Sequence, residues 1–284
     1  MNLATASGLR KRHGRVTALD EFDLTVPSGS IVGLIGPNGS GKSTALRSLT
    51  GLTPIDAGEL SVLGLDPYRQ RTQLMRQVAY IADVGTLPRW MRVSDLLRFV
   101  AGVHPAFDLA TAQRALSRTD VRATAKVRDL SKGMTVQLHL ALVMATSTQL
   151  LILDEPTLGL DLLYRQHFYE ALLQDYFADG RSIIVSTHEL SEVEHILTDV
   201  VFINRGKAVL QAQTDSLAER FVTVTAPESQ QEALAALQPL RLRRTLRGVE
   251  AIYDGIDPER LPAESQQRPS DISSLFVALL GGES

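Results

Sequence analysis

Cysteine is absent from this chain of 284 residues, so neither a disulfide framework nor thiolate chemistry is open to it. That suits a reducing cytoplasm. Charge of one sign is lacking as well: the formal net charge is only -3, which gives no global attraction to nucleic acid. Aromatic residues are scarce at 5%, with Trp90 the single tryptophan. Long apolar runs are missing too. The densest stretches, 138–145 and 150–153, fall far short of the roughly 18 residues a bilayer crossing requires, so any membrane task needs a partner that does the crossing. The basic cluster Arg10, Lys11, Arg12 and Arg15 is not followed by the apolar run of a secretory signal.

What is present reads as an ordinary globular protein, 44% hydrophobic and 21% charged, long enough for one large domain and a small appendage. The run Ile31–Ile35 sits between Ser28-Gly29-Ser30 and Gly36-Pro37, as a buried strand entering a glycine-rich turn does. A helix is predicted over 42–50, a strand at Val78–Ile81, and helices over 93–100 and 109–116 within a helical insert at about 88–135. Two further buried strands, 150–153 and 182–185, flank a helical pattern over 162–177. This alternation predicts an α/β fold with a mostly parallel sheet covered on both faces. Near residue 217 the character changes. The expected division is a large domain over 1–218 and a small α+β domain over 219–284, with a short helix at 232–237 and a polar stretch at 258–269. A terminal helix is expected to pack through Leu275, Phe276 and Leu279. The basic run Arg241, Arg243, Arg244 and Arg247 reads first as a solvated face.

Gly36-Pro37-Asn38-Gly39-Ser40-Gly41-Lys42-Ser43 fits G-x-x-x-x-G-K-[ST] between a strand and a helix, and Thr44 extends it. Glycines let backbone N–H groups close around phosphate oxygens, and the helix N-terminus adds partial positive charge. Lys42 would reach the β- and γ-phosphates of ATP, and the Ser43 hydroxyl would hold Mg²⁺. The strand 150–153 ends in Asp154 and Glu155. Asp154 would hold the metal, and Glu155 could polarise an attacking water as general base. Alone, the pair would read equally well as an acidic turn; the phosphate loop upstream favours the catalytic reading.

Leu130-Ser131-Lys132-Gly133-Met134 resembles the LSGGQ signature of the ATP-binding-cassette (ABC) family. His188 after the strand at 182–185 is similar to that family's switch histidine, and Leu158-Gly159-Leu160-Asp161 to its D-loop. With the Walker A and Walker B motifs above, the resemblance covers about residues 3–215. Arg89-Trp90-Met91 and Pro105-Ala106-Phe107-Asp108 resemble the bacterial exporter-type branch of YtrB-like subunits. The resemblance implies a P-loop nucleotide hydrolase fold and a head-to-tail dimer, with an identical copy or a related subunit. Each ATP would touch the 36–44 loop of one chain and Ser131, Lys132 and Gly133 of the other. His188 would bond the γ-phosphate, and Asp161 would contact the opposite subunit. The competing readings, Ser131 as a mere helix cap and Asp161 as a simple turn residue, are the less favoured ones. The family further implies a separate polytopic membrane permease, peripheral placement at the cytoplasmic face of the membrane, and export. A cassette working on nucleic acid or the ribosome is the rival. The stretch between Ser43 and Ser131 has no long coiled coil and the chain has one set of motifs, so no nucleic acid is expected.

Some positions depart from the family pattern. His13 stands where an adenine-stacking aromatic is common. Asp83 stands in place of the Q-loop glutamine, where it is expected near the metal. Lys132 replaces a glycine, facing either the partner's γ-phosphate or open surface, and Met134 replaces a glutamine. Leu87, Pro88, Trp90 and Met91 form either a permease-docking groove or part of a core.

Overall fold

The structure is a computed structural model that describes residues 1–82 and 87–281; Asp83 lies outside the described residues. In chain order it places β1 (Asn2–His13), β2 (Val16–Pro27), β3 (Ile31–Ile35), α1 (Lys42–Leu49), β4 (Ala57–Val62), α2 (Arg71–Leu74) and β5 (Val78–Ile81). There follow α3 (Val93–Val103), α4 (Leu109–Ser117), α5 (Lys132–Met144), β6 (Leu150–Asp154), α6 (Leu162–Ala171), β7 (Ser182–Thr187), β8 (Asp199–Asn204) and β9 (Lys207–Gln213). The remainder is α7 (Thr214–Arg220), β10 (Phe221–Ala226), α8 (Gln231–Ala236), β11 (Arg241–Thr245), β12 (Gly248–Asp254), β13 (Gln266–Pro269) and α9 (Ile272–Leu280).

A six-stranded sheet in the order β5-β6-β7-β3-β8-β9 forms the centre. It is parallel except for the antiparallel edge strand β9. Every residue of β3, β6 and β7 is buried, which is why their sequences are continuous apolar runs rather than alternations. Residues pointing to one face, among them Val32, Leu34, Ile152 and Ile184, pack against α1 and against Phe22, Leu24 and Val26 of β2. Those pointing to the other, among them Ile31, Ile35, Leu151 and Leu153, meet Val136 and Leu140 of α5 and Phe168 of α6. Helices α3, α4 and α5 close a separate apolar core around Leu97, Leu116 and Leu138, so the expected helical insert is a packed unit.

Two features were not anticipated. Strands β2, β1 and β4 form an antiparallel sheet over one face of the central sheet. The alternation of buried Phe22, Leu24 and Val26 with exposed or half-buried neighbours was its signal. The helix expected over 162–177 also breaks: α6 stops at Ala171, and 172–176 widens into a π-helical turn. That turn seats the fully buried Tyr176, whose hydroxyl donates to the Thr148 carbonyl at 3.2 Å.

Beyond α7, a four-stranded antiparallel sheet in the order β11-β12-β10-β13 has its own small core around Val224, Leu234, Val249 and Tyr253. The basic run is the edge strand β11 and its turn; Arg243 pairs with Glu250 at 2.6 Å and Arg244 with Glu228 at 3.3 Å. The polar stretch at 258–269 ends in strand β13 rather than remaining irregular. Helix α9 then returns to the central sheet. Its Leu275 is fully buried in the core formed by α5 and α6, and Phe276 meets Phe202 edge-on with ring centroids 5.3 Å apart. Among the described residues no helix is long and apolar enough to cross a membrane.

Candidate nucleotide site

The phosphate loop joins β3 to α1, and its glycines are dictated by contact. A Cβ at position 36 would stand 2.3 Å from the Ile203 carbonyl oxygen. At position 41 it would stand 2.4 Å from the Ala18 carbonyl, on a backbone with φ of 112°. Pro37, Asn38 and Gly39 form the exposed crest of the loop. Ser40 is buried, and its hydroxyl has no hydrogen-bond partner among the described residues. Lys42 is only 6% exposed; its Nζ donates to the Gly36 carbonyl at 2.7 Å and the Pro37 carbonyl at 3.3 Å, inside the curl of the loop.

Asp154, at the end of β6, is buried, and its Oδ1 accepts from the Ser43 hydroxyl at 3.0 Å and the Ser186 hydroxyl at 2.7 Å. Tyr80 on β5 approaches Oδ2 at 3.4 Å. Burial, with the Asp154 charge beside it, pushes the Tyr80 phenol up to about 12. One buried carboxylate next to one half-buried hydroxyl is the donor set Mg²⁺ takes when phosphates and water complete its shell. Among the described residues no group of three or more His, Cys, Asp or Glu side chains builds an all-protein metal cage.

Glu155 follows with a left-handed backbone, φ 50°, a conformation that costs a non-glycine residue about 1 kcal/mol or more. Its N–H is held by the Ser186 carbonyl at 3.2 Å and the Ser186 hydroxyl at 3.1 Å. The turn sends the side chain across the sheet edge. Oε1 lies 3.2 Å from Lys42 Nζ, a charge contact whose angles are too poor for a hydrogen bond, and Oε2 lies 2.9 Å from His188 Nδ1. Lys42, Glu155 and His188, expected separately from three motifs, therefore form one continuous chain of polar contacts.

The signature and D-loop residues occupy a different place. Ser131 caps α5, its hydroxyl accepting from Met134 N–H at 3.1 Å, and Asp161 caps α6, accepting from Tyr164 N–H at 3.1 Å. Lys132 Nζ donates to the Leu158 carbonyl and lies over Gly159, where a Cβ would be 2.5 Å away. Within the subunit Lys132 thus ties the signature helix to the D-loop. A Cβ at Gly133 would strike the Tyr164 ring at 2.8 Å. Among the described residues no hydrogen bond or ion pair joins Ser131, Lys132 or Gly133 to the 36–44 loop. His13 ends β1 as an exposed residue. The 87–91 cluster divides: Leu87 and Met91 pack on the insert's core, while Trp90 is 72% exposed. Sequence reasoning passed over Tyr80 and Ser186, although Ser186 lies two residues before His188 on the same strand end.

A family profile described as an ABC transporter matches residues 19–158. The Nod factor export ATP-binding protein I of Cupriavidus metallidurans is 31% identical, over 97% of this chain and 96% of its own length. The chain belongs to the ABC transporter family. It is an ATP-binding subunit and an ATPase of that family. A second relative, the Nod factor export ATP-binding protein I of Rhizobium sp. (strain N33), is 29% identical over 98% of this chain and 96% of its own. Among solved structures, an ATP binding subunit of an ABC transporter superposes with a TM-score of 0.69 at 27% identity, covering 76% of this chain and 92% of that one. A nucleotide-free ATP-binding cassette from an ABC transporter, 19% identical with a TM-score of 0.64, shares the fold. For an ABC subunit the α/β sheet, the helical insert and the added α+β sheet are therefore as the sequence led one to expect.

Proposed function

We propose that two cassettes, identical or related, close head-to-tail on ATP and drive a separate polytopic membrane permease, in the direction of export. The observation that carries this reading is the contact chain Lys42–Glu155–His188 beside the Ser43–Asp154 pair. In it, the 36–44 loop amides and Lys42 bind the phosphates. Glu155 takes the proton of the attacking water, and His188 holds the Glu155 carboxylate on one side while facing the γ-phosphate. Ser43 and Asp154 would hold Mg²⁺; when bound, the ion neutralises charge on the β- and γ-phosphates. Ser131, Lys132, Gly133 and Asp161 serve the partner's nucleotide. His13 supplies the base contact, and 219–284 acts as an accessory domain. Export rests on the names of the full-length relatives, and the cassette is assigned to the cytoplasmic face of the membrane.

The test is a tagged Glu155→Gln protein, extracted from membranes of its native cell in mild detergent with ATP and Mg²⁺. A stoichiometric polytopic membrane protein should co-purify. Recovery of soluble protein with ribosomes or nucleic acid instead would overturn the transport reading.

A further inference from the structure

Behind the catalytic carboxylate one side chain bridges the D-loop and the segment after His188, and through Glu192 it reaches Thr157 in the stretch that follows Glu155. Arg165 lies on the first turn of α6, with its side chain 20% exposed. Its Nε donates to the Leu160 carbonyl of the D-loop at 2.7 Å. Its Nη1 pairs with both Glu189 and Glu192 on the segment that follows His188. Glu189 Oε1 in turn stands 3.8 Å from His188 Nε2. Glu192 Oε2 accepts from the buried Thr157 hydroxyl at 3.1 Å, and Thr157, two residues past Glu155, lies 3.2 Å from the Tyr169 hydroxyl. The stretch between is tightly wound, with Leu158 N–H bonded to the Glu155 carbonyl at 3.2 Å and Leu160 N–H to the Thr157 carbonyl at 3.0 Å.

We propose that Arg165 is a positioning residue that locks the D-loop, the switch segment and the loop after Glu155 into one unit, so that a shift at Asp161 is felt at His188. A guanidinium suits this place better than an ammonium does. Its planar fork can serve a carbonyl and two carboxylates at once, whereas an ammonium is a point charge. The Arg165–Glu192 pair is largely out of water, while Glu189 is more open at 44% exposure; in the sheltered part a charge network holds its members in fixed positions and a lost member leaves uncompensated charge. Lys132, bonded to the neighbouring Leu158 carbonyl, fastens the signature helix to the same loop, so the lock extends to the surface that serves the partner's nucleotide. The inference rests on the assignment of Glu155 and His188 as catalytic.

The experiment is ATPase kinetics, nucleotide affinity and thermal unfolding of the full-length protein carrying Arg165→Lys, Arg165→Gln or Glu189→Gln. Each substitution is also combined with His188→Ala. Arg165→Gln should lower kcat by about tenfold to a hundredfold, as loss of catalytic geometry does, with nucleotide affinity held within about threefold. Arg165→Lys should recover part of the loss. Combined with His188→Ala, each change should cost far less than it does alone, because both act through one histidine. Multiplicative losses in the double variants would overturn the lock, as would a fall in thermal stability with kcat intact below the transition. Glu189→Gln keeps the question decidable if Arg165→Gln fails to fold, since it removes only one arm. A wild-type protein that shows ATPase activity insensitive to Glu155→Gln and His188→Ala would overturn the catalytic assignment, and this inference with it.

Discussion

His188 Nδ1 and Glu155 Oε2 stand 2.9 Å apart, although one follows β7 and the other follows β6 with a left-handed backbone. The two strands are neighbours in the parallel sheet, with Asp154 opposite Ser186, so the pairing is a consequence of register. Replacing Glu155 by Gln removes the base, and replacing His188 by Ala removes its holder. Each should reduce kcat by about a hundredfold or more while ATP still binds, the usual scale for positioned acid–base groups. Steady-state ATPase rates beside nucleotide titration check this.

Gly36→Ala should prevent the phosphate loop from closing. The added methyl would meet a backbone carbonyl at 2.3 Å, which cannot move without displacing β8. The expected cost is about 1–3 kcal/mol of stability, together with loss of nucleotide binding. Gly39→Ala makes the comparison: no atom lies within 4 Å of its Cβ, so only the cost of its φ of 80° remains. Denaturant melts of the two variants should separate steric from conformational cost.

Alkali should destabilise the fold. Burial first of all pushes the phenols of Tyr80, Tyr169 and Tyr176 up to about 12. Below the ordinary phenol value near pH 10, both folded and unfolded forms are neutral and the full stability is present. Between about pH 10 and 12 the unfolded chain ionises and the folded one does not, so stability falls as pH rises. Denaturation curves across that window should show the loss, and Tyr176→Phe should shrink it.

Trp90→Ala should leave the thermal midpoint unchanged, since the indole is 72% exposed. It should weaken co-purification of the permease, because a lone exposed tryptophan beside a packed helical unit is the kind of anchor an interface uses. Unchanged permease recovery would remove Trp90 from the docking surface.

The phosphate loop, the acidic strand end and His188 stand out in the sequence because each lies in a short run whose residue types are chemically distinctive. Lys42, Glu155 and His188 were named one by one; that they touch follows from strand order, which no single motif carries. For Lys132 the sequence leaves two directions open, the partner's γ-phosphate or open surface; within the subunit its Nζ is bonded to the Leu158 carbonyl. A flexible four-carbon stem gives no sequence signal of where its charge lands. The antiparallel sheet was missed for a different reason: β1 is bent by irregular register with β2 at several points, which blurs its alternation. Arg165 escaped notice because its partners lie on segments that fold beside it only in three dimensions.

Helix α9 seals the core of the nucleotide-binding sheet, with Leu275 fully buried there and Phe276 against Phe202. On the ribosome, β8 and its Phe202 emerge well before the residues that cover them. The nascent cassette therefore carries an open apolar seam while the four-stranded sheet is being made, and closes it only when 272–280 arrives. A chain that stopped before 272–280 would leave that seam uncovered, so the last helix is a structural part of the nucleotide-binding unit although it lies beyond the four-stranded sheet in sequence.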